Sequence, residues 1–208
     1  MDVSHPLRGL LTPAMAGVIE VLTATHTPLT GREVHRLIRG DVSLGATQQA
    51  LASLESLGLV DTQPAGRAQL HTFNREHVLA EALLSLVGAP STLEEWLASA
   101  IQDWPQPPVA AWLFGSAARG EATAQSDIDV VFVGPAGFDV TFWDEPIAIL
   151  SEAVLRRTGN AMETLVLTEN ELEDSDERGD RLIDELRQDA RPLVGPSPRE
   201  VLRPRAAS

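Results

Sequence analysis

The sequence predicts an α+β protein built from two units. The first is a group of three helices closed by a β-hairpin, and the second is an α/β unit around a small mixed sheet. Three observations lead there. Helical apolar spacing dominates residues 13–57, followed by short extended runs about a turn. Apolar strand-like runs then alternate with helical patterns over residues 91–195. Charge is also divided unevenly: residues 1–80 hold 7 acidic and 6 basic side chains and all five His, whereas residues 81–208 hold 23 acidic and 10 basic ones, within a net charge of −14.

The first unit reads in order. Thr12-Pro13 has an N-cap followed by Pro at the first helical position, and Met15, Val18, Ile19 and Leu22 follow at helical spacing until Thr27-Pro28 stops the run. Thr30-Gly31-Arg32-Glu33 is a capping box opening a second helix, with Val34, Leu37 and Ile38 expected inward. Ser43 can cap a third helix whose Leu44, Leu51 and Leu54 form the buried stripe, and Gly58 is placed to end it in the left-handed region. Leu59-Val60, a turn at Pro64-Ala65-Gly66-Arg67, and Leu70-His71-Thr72-Phe73 make the hairpin. Asn74 is expected to cap a helix reaching Val87, and Gly88-Ala89-Pro90 marks the boundary.

Residues 30–73, with the ending Leu51, Leu54, Leu57, Gly58, Leu59, Val60, resemble a winged helix-turn-helix domain. That resemblance implies a third helix entering the DNA major groove and a wing touching the backbone. Ser43, Thr47 and Gln48 would then lie at the exposed start of the recognition helix, with Arg67 at the wing tip. The same fold also serves as an interaction or dimerisation module, and a symmetric homodimer is the default expectation for such a regulator.

The second unit opens with a capping box at Ser91-Thr92-Leu93-Glu94. In the helix that follows, Leu93, Trp96, Leu97, Ala100, Ile101 and Trp104 read as a core face. Pro105-Gln106-Pro107-Pro108 leads into a strand over Val109–Phe114. Gly115 then permits a tight turn and close approach of a ligand to the backbone, and Ser116 adds a hydroxyl near exposed N–H groups, a combination suited to phosphate. Asp127 and Asp129, at i and i+2 of the next strand, share one face. Two carboxylates so placed repel unless a cation lies between them, and Mg²⁺ prefers such oxygen ligands. In-line displacement at a phosphorus uses two metal ions roughly 3.5–4 Å apart, with a third carboxylate completing the pair. Glu163, at the start of the strand-like run Met162–Leu167, is the favoured candidate; Asp139 and Asp144, in a loop and helix start, compete with it.

Gly115-Ser116, ten residues, then Asp127-x-Asp129, with Ala118, Arg119, Gly120 and Ser126 around them, resembles the signature of the minimal nucleotidyltransferases of the DNA polymerase β-like superfamily. The similarity extends over about residues 91–195. It implies a nucleotide site at Gly115, Ser116, Arg119 and Ser126, and two Mg²⁺ ions on Asp127, Asp129 and Glu163, the last also a general base. It further implies an NTP substrate, with ATP expected, and an acceptor among proteins, RNA ends and small molecules. The alternative within the same resemblance is a transcription regulator that senses a nucleotide without turnover.

The expected domains are thus 1–88, 91–195 and a mobile Pro- and Arg-rich tail at 196–208. The acidic run Glu169–Asp180, opened by a capping box at Thr168–Glu171, reads as solvated helix surface. There is no Cys, no apolar run approaches the ~20 residues a bilayer requires, and the N-terminal residues lack a secretion-signal pattern. A cytoplasmic protein without a membrane partner is the resulting expectation.

Overall fold

The structure is a computed structural model that describes residues 1–202. The chain packs as two units, one formed by Pro6–Ala89 and the other by Met1–His5 together with the chain from Pro90 onward. The boundary therefore differs from the expected 1–88 at its first five residues. They join the second unit through long-range bonds: the Met1 ammonium donates to Thr158 O (2.9 Å) and Asn160 Oδ1 (2.8 Å), and Ser4 Oγ accepts from Ala122 N (3.1 Å). Val3 is buried in that unit's core.

In the Pro6–Ala89 unit, α1 (Pro13–Thr23) starts with Thr12 Oγ1 accepting from Met15 N and Pro13 in the first turn. A two-residue strand β1 (Leu29–Thr30) leads into α2 (Gly31–Leu37), whose Thr30/Glu33 capping box satisfies otherwise unpaired first-turn N–H groups. The helix α3 (Leu44–Ser56) is capped by Ser43, and Gly58 closes it at φ +75°. Antiparallel β2 (Val60–Ala65) and β3 (Ala68–Phe73) follow, and β1 pairs with β3 to give the order β1-β3-β2. Val18, Ile19, Leu22, Val34, Leu51, Leu54, Val60 and Phe73 share one apolar core.

Two expectations fail here for identifiable reasons. Leu37 is 55% exposed because α2 ends on it, so the inward face is completed by Val34 and Ile38. Asn74 caps no helix. Its Nδ2 donates to Gly58 O (2.8 Å) and its Oδ1 accepts from Glu76 N, which binds the hairpin's exit to the end of α3; the helix α4 begins only at Ala80 (Ala80–Val87).

The second unit opens with α5 (Ala89–Gln102). It begins three residues earlier than a Ser91 cap would allow, since Pro90 is tolerated in a first turn, where its missing N–H has no partner to lose. Glu94, expected to reach back to Ser91, pairs instead with Arg191 at 2.7 Å. The sheet comprises β4 (Ala110–Phe114), β5 (Ile128–Gly134), β6 (Met162–Thr168) and β7 (Arg191–Val194) in the order β6-β5-β4-β7; β5–β6 is parallel and the other pairs antiparallel. A five-residue helix α6 (Gly115–Arg119) joins β4 toward β5, and α7 (Asp144–Thr158) makes the β5–β6 crossover that a parallel pair requires. Then come α8 (Glu169–Arg178), α9 (Arg181–Asp189) and, after β7, α10 (Pro198–Val201).

Alternation along the strands makes this sheet two-faced. Ala111, Leu113, Ile128, Val130 and Phe132 pack with Leu97 and Ile101 of α5 and Leu150 and Val154 of α7. Ala110, Trp112, Val131 and Val133 pack with Leu172 of α8 and Ile183 and Leu186 of α9. A sheet covered on both faces reads as a continuous apolar run, as Val130–Val133 does. The expected mobile tail is corrected over its first part: Trp112 Nε1 donates to Pro196 O (2.8 Å), Ser197 and Glu200 form a capping box, and Leu202 is buried on Trp112's side of the sheet. Residues 203–208 lie outside the described residues.

His71 supplies a pH test of the first unit. Its imidazole is buried, its Nδ1 shares a hydrogen bond with Thr62 Oγ1 (3.1 Å), and burial holds its pKa below the ordinary 6.5 against the opposing charge of Glu55. Above pH 6.5 both folded and unfolded forms are neutral and the full stability is present. As pH falls below 6.5 the unfolded chain takes the proton first, so stability is lost. Melting temperature measured from pH 7.5 to 5.5 should therefore fall, and should fall less for His71→Gln, which keeps a partner for Thr62 without the titration.

Candidate active site

The site is built where β4 ends and β5 begins. Phe114, the last residue of β4, pairs with Asp129 of β5, and Asp129 pairs on its other side with Glu163 of β6. These three residues thus form one row across three strands. Asp127, two residues before Asp129, immediately precedes β5 and shares its parity. The three carboxylates belong to the sheet face that packs on α8 and α9, because Val131 and Leu165, two residues on from Asp129 and Glu163, lie in that core.

Gly115 takes φ +66°, and a Cβ there would collide with Asp129 Oδ2 and stand 3.0 Å from Asp129 Cγ. The glycine accordingly does two things: it reverses the chain from β4 into α6, and it leaves the space that the Asp129 carboxylate fills. Close approach to this backbone, expected of a ligand, is made first by the protein's own carboxylate.

Asp129 is half-buried and its pKa is raised, first by burial and then by the charges of Asp127 and Glu163, with Arg119 acting in the opposite direction. Arg119 itself is exposed; its Nε bonds Glu121 Oε2 (2.9 Å) and its Nη1 lies 3.6 Å from Asp189 Oδ2. Asp129, with two acidic neighbours, therefore draws on a guanidinium that is shared with two other acids. Asp127 and Glu163 are exposed and Ser116 is half-buried, so these side chains are accessible to a ligand. Among the described residues no three Asp, Glu or His groups are gathered closely enough to hold a metal ion by themselves. Mg²⁺ is commonly held by one or two carboxylates together with substrate phosphates, and the pair Asp127 and Asp129 would suit that mode, with Glu163 beside Asp129 on the neighbouring strand.

Other expected residues fall elsewhere. Asp139 caps the turn Val140–Trp143, its Oδ1 accepting from Thr141 N and Oγ1, which lowers its pKa; Asp144 starts α7. Both follow the far end of β5, about 20 Å of strand away from Asp127 and Asp129. Ser126 Oγ accepts from Thr123 N (2.9 Å) and so closes the loop before Asp127. In the first unit, Gln48 is exposed on α3 and Arg67 is exposed at the β2–β3 turn, while Ser43 uses its hydroxyl to cap Ala46 N. Thr47 is a correction. It is fully buried, with Oγ1 bonded to His35 Nδ1 (3.3 Å) and Ser43 O (3.1 Å), and so lies beyond the reach of any surface partner. Positions 44, 47, 51 and 54 share one helical face, a spacing that already placed Thr47 with the leucines.

The site thus defines an α/β domain with a glycine turn and a row of acids at the start of a parallel strand pair. Residues 94–195 match the family model described as a nucleotidyltransferase domain. No curated protein matches the chain significantly. Among solved structures, a protein from Sulfolobus solfataricus assigned as a nucleotidyltransferase is similar at 20% identity and a TM-score of 0.29, over 49% of this chain and 76% of its own. TrmBL2, an archaeal chromatin protein whose structure shows a novel mode of DNA binding, is similar at 19% identity and a TM-score of 0.30, over 85% of this chain and 72% of its own. No helix of the described residues is long and apolar enough to cross a membrane.

Two substitutions read out the contact at the centre of the site. Gly115→Ala should lower the melting temperature, because it forces an L-residue to φ +66°, at about 1–2 kcal/mol, and pushes Asp129 aside. Asp129→Asn should raise it at pH 7.5 in the presence of a chelator, since the amide fills the same space without a charge that burial and two acids oppose.

Proposed function

We propose that the chain is a Mg²⁺-dependent nucleotidyltransferase that moves a nucleoside monophosphate from an NTP, with ATP expected, to an acceptor hydroxyl. The supporting observation is the row Phe114, Asp129, Glu163 with Gly115 packed against it, inside the region that matches the nucleotidyltransferase family model. In this reading Gly115 and Ser116 receive the triphosphate, and Asp127, Asp129 and Glu163 hold Mg²⁺, which when bound neutralises charge on the reacting phosphate. The acceptor oxygen forms the new bond to the α-phosphorus, the α–β anhydride bond breaks, and pyrophosphate leaves. Glu163, exposed at the edge of the acid row, is the base for the hydroxyl proton. Arg119 is the cation for the departing phosphates, released for that role from Glu121 and Asp189.

Pyrophosphate release from each NTP with Mg²⁺ and candidate protein, RNA and small-molecule acceptors tests this reading. Wild type should turn over, and Asp127→Asn and Asp129→Asn should each lose at least 100-fold in kcat while remaining folded. Nucleotide binding without pyrophosphate release under all these conditions would turn the assignment to a nucleotide sensor.

We further infer that the Pro6–Ala89 unit is a winged helix that binds DNA. The helices α1 to α3, the β1-β3-β2 sheet and the exposed Gln48 and Arg67 support this. With a net charge of −14 on the whole chain, affinity must come from local contacts rather than the overall field. Fluorescence anisotropy against the gene's own upstream DNA and an unrelated duplex should show Arg67→Ala weakening both and reducing the salt slope by about one. Gln48→Ala should cost about 1–3 kcal/mol on the preferred site only. Absence of binding by wild type to either duplex at low salt removes DNA from the proposal.

A further inference from the structure

Asn160 is a buried polar residue that the nucleotide chemistry described above does not use; it is 3% exposed and sits between the end of α7 and the start of β6. Its Oδ1 accepts from Met1 N (2.8 Å), which orients the amide so that Nδ2 faces the loop before β5. There Nδ2 donates to Ser126 O (2.8 Å) and, more weakly, to Thr123 O (3.4 Å). The loop is also tied to itself, with Thr123 N donating to Ser126 Oγ and Ser126 N to Thr123 O (3.2 Å). On the other side of Asp127, Ile128 N donates to Ala161 O (2.9 Å). The backbone of Asp127 is therefore fastened on both flanks to consecutive residues, 160 and 161, that lead directly into the strand carrying Glu163.

We propose that Asn160 is a positioning residue that sets the place of the Asp127 carboxylate relative to Asp129 and Glu163. The proposal rests on reading Asp127 as a metal carboxylate. One of the two tethers is main chain and insensitive to sequence; the other is the Asn160 amide, and only a hydrogen-bond donor at that place can hold a carbonyl. A buried amide whose N–H groups meet two carbonyls and whose oxygen meets a nitrogen donor does more here than fill space. Asp127, whose side chain is exposed and makes no packing contact with Gly115 of the kind Asp129 makes, depends on its backbone for its placement.

The test uses the full chain with Asn160→Asp, which keeps the acceptor for Met1 N and removes the donor to Ser126 O, and with Asn160→Ala. Mn²⁺ affinity in the presence of a non-hydrolysable ATP analogue is measured by calorimetry, and NTP turnover by pyrophosphate release. Both variants should bind Mn²⁺ at least tenfold more weakly, with kcat down at least tenfold and the NTP KM within threefold of wild type. Wild-type Mn²⁺ affinity and kcat in a folded Asn160→Asp protein overturn the proposal. Should both variants unfold, hydrogen exchange on the wild type decides: slow exchange of the Asn160 side-chain N–H groups supports the tether to Thr123 O and Ser126 O, and exchange at the unprotected rate overturns it. If wild type binds Mn²⁺ in an Asn160-dependent way yet releases no pyrophosphate, the transferase reading fails and the positioning role stands.

Discussion

The site turns on a carboxylate occupying the space of an absent Cβ. Asp129 packs against Gly115, and that contact joins the end of β4 to the start of β5 at the level where β6 adds Glu163. Any side chain at Gly115 would separate the strands' functional ends or expel the acid. The arrangement also has an electrostatic cost: burial and two acidic neighbours oppose the charge of Asp129, and Arg119 offsets this only in part. The sheet withstands that cost because its interior is apolar on both faces. Trp112, Phe132, Val130 and Val131 are all buried, so the acid row is a local strain at the edge of a large core. Carboxylates held against their own repulsion are a familiar device of sites that receive cations or phosphates.

Much of this was legible in the sequence because it is written in short-range signals. Thr12-Pro13, Thr30–Glu33, Ser43 and Thr168–Glu171 form the caps their residue types dictate. Gly115, Asp127 and Asp129 stand out through spacing alone. The parts that escaped are decided by distant partners. Nothing in Met1–His5 signals that it joins a unit more than 80 residues away, since its bonds are to Ala122, Thr158 and Asn160. Ser91–Glu94 has the residues of a capping box, yet Glu94 goes to Arg191, at the other edge of the sheet, and the helix starts earlier. Asn74 has the right type for a cap and instead serves the Gly58 carbonyl. In each case local propensity was outweighed by a tertiary hydrogen bond or ion pair.

Thr47 is a different kind of miss, because the information was local. Placing it on the exposed start of α3 followed from its distance from Ser43, whereas its angular position puts it under the helix with Leu51 and Leu54. There its hydroxyl binds Ser43 O and His35, so a polar side chain is buried at little cost because both its bonds are satisfied. The consequence for recognition is concrete. Near the start of α3 the outward polar side chains are the amides of Gln48 and Gln49, and in the proposed DNA-binding role amides read hydrogen-bond patterns on base edges more selectively than they attract phosphate.

Charge distribution places the second unit under one constraint. The acids of the second unit serve several ends: Glu171 caps α8, Asp176 and Asp184 bind Arg187, Glu94 binds Arg191, and Asp189 with Glu121 holds Arg119. Nearly every Arg near the acid row is thus already committed, which leaves Asp127, Asp129 and Glu163 short of counter-charge. A free nucleotide, itself strongly anionic, would be repelled by this surface, whereas a nucleotide arriving with divalent cations brings the missing positive charge. Under the proposed transferase reading, that shortage favours a metal-bound triphosphate over the bare anion as the species that enters.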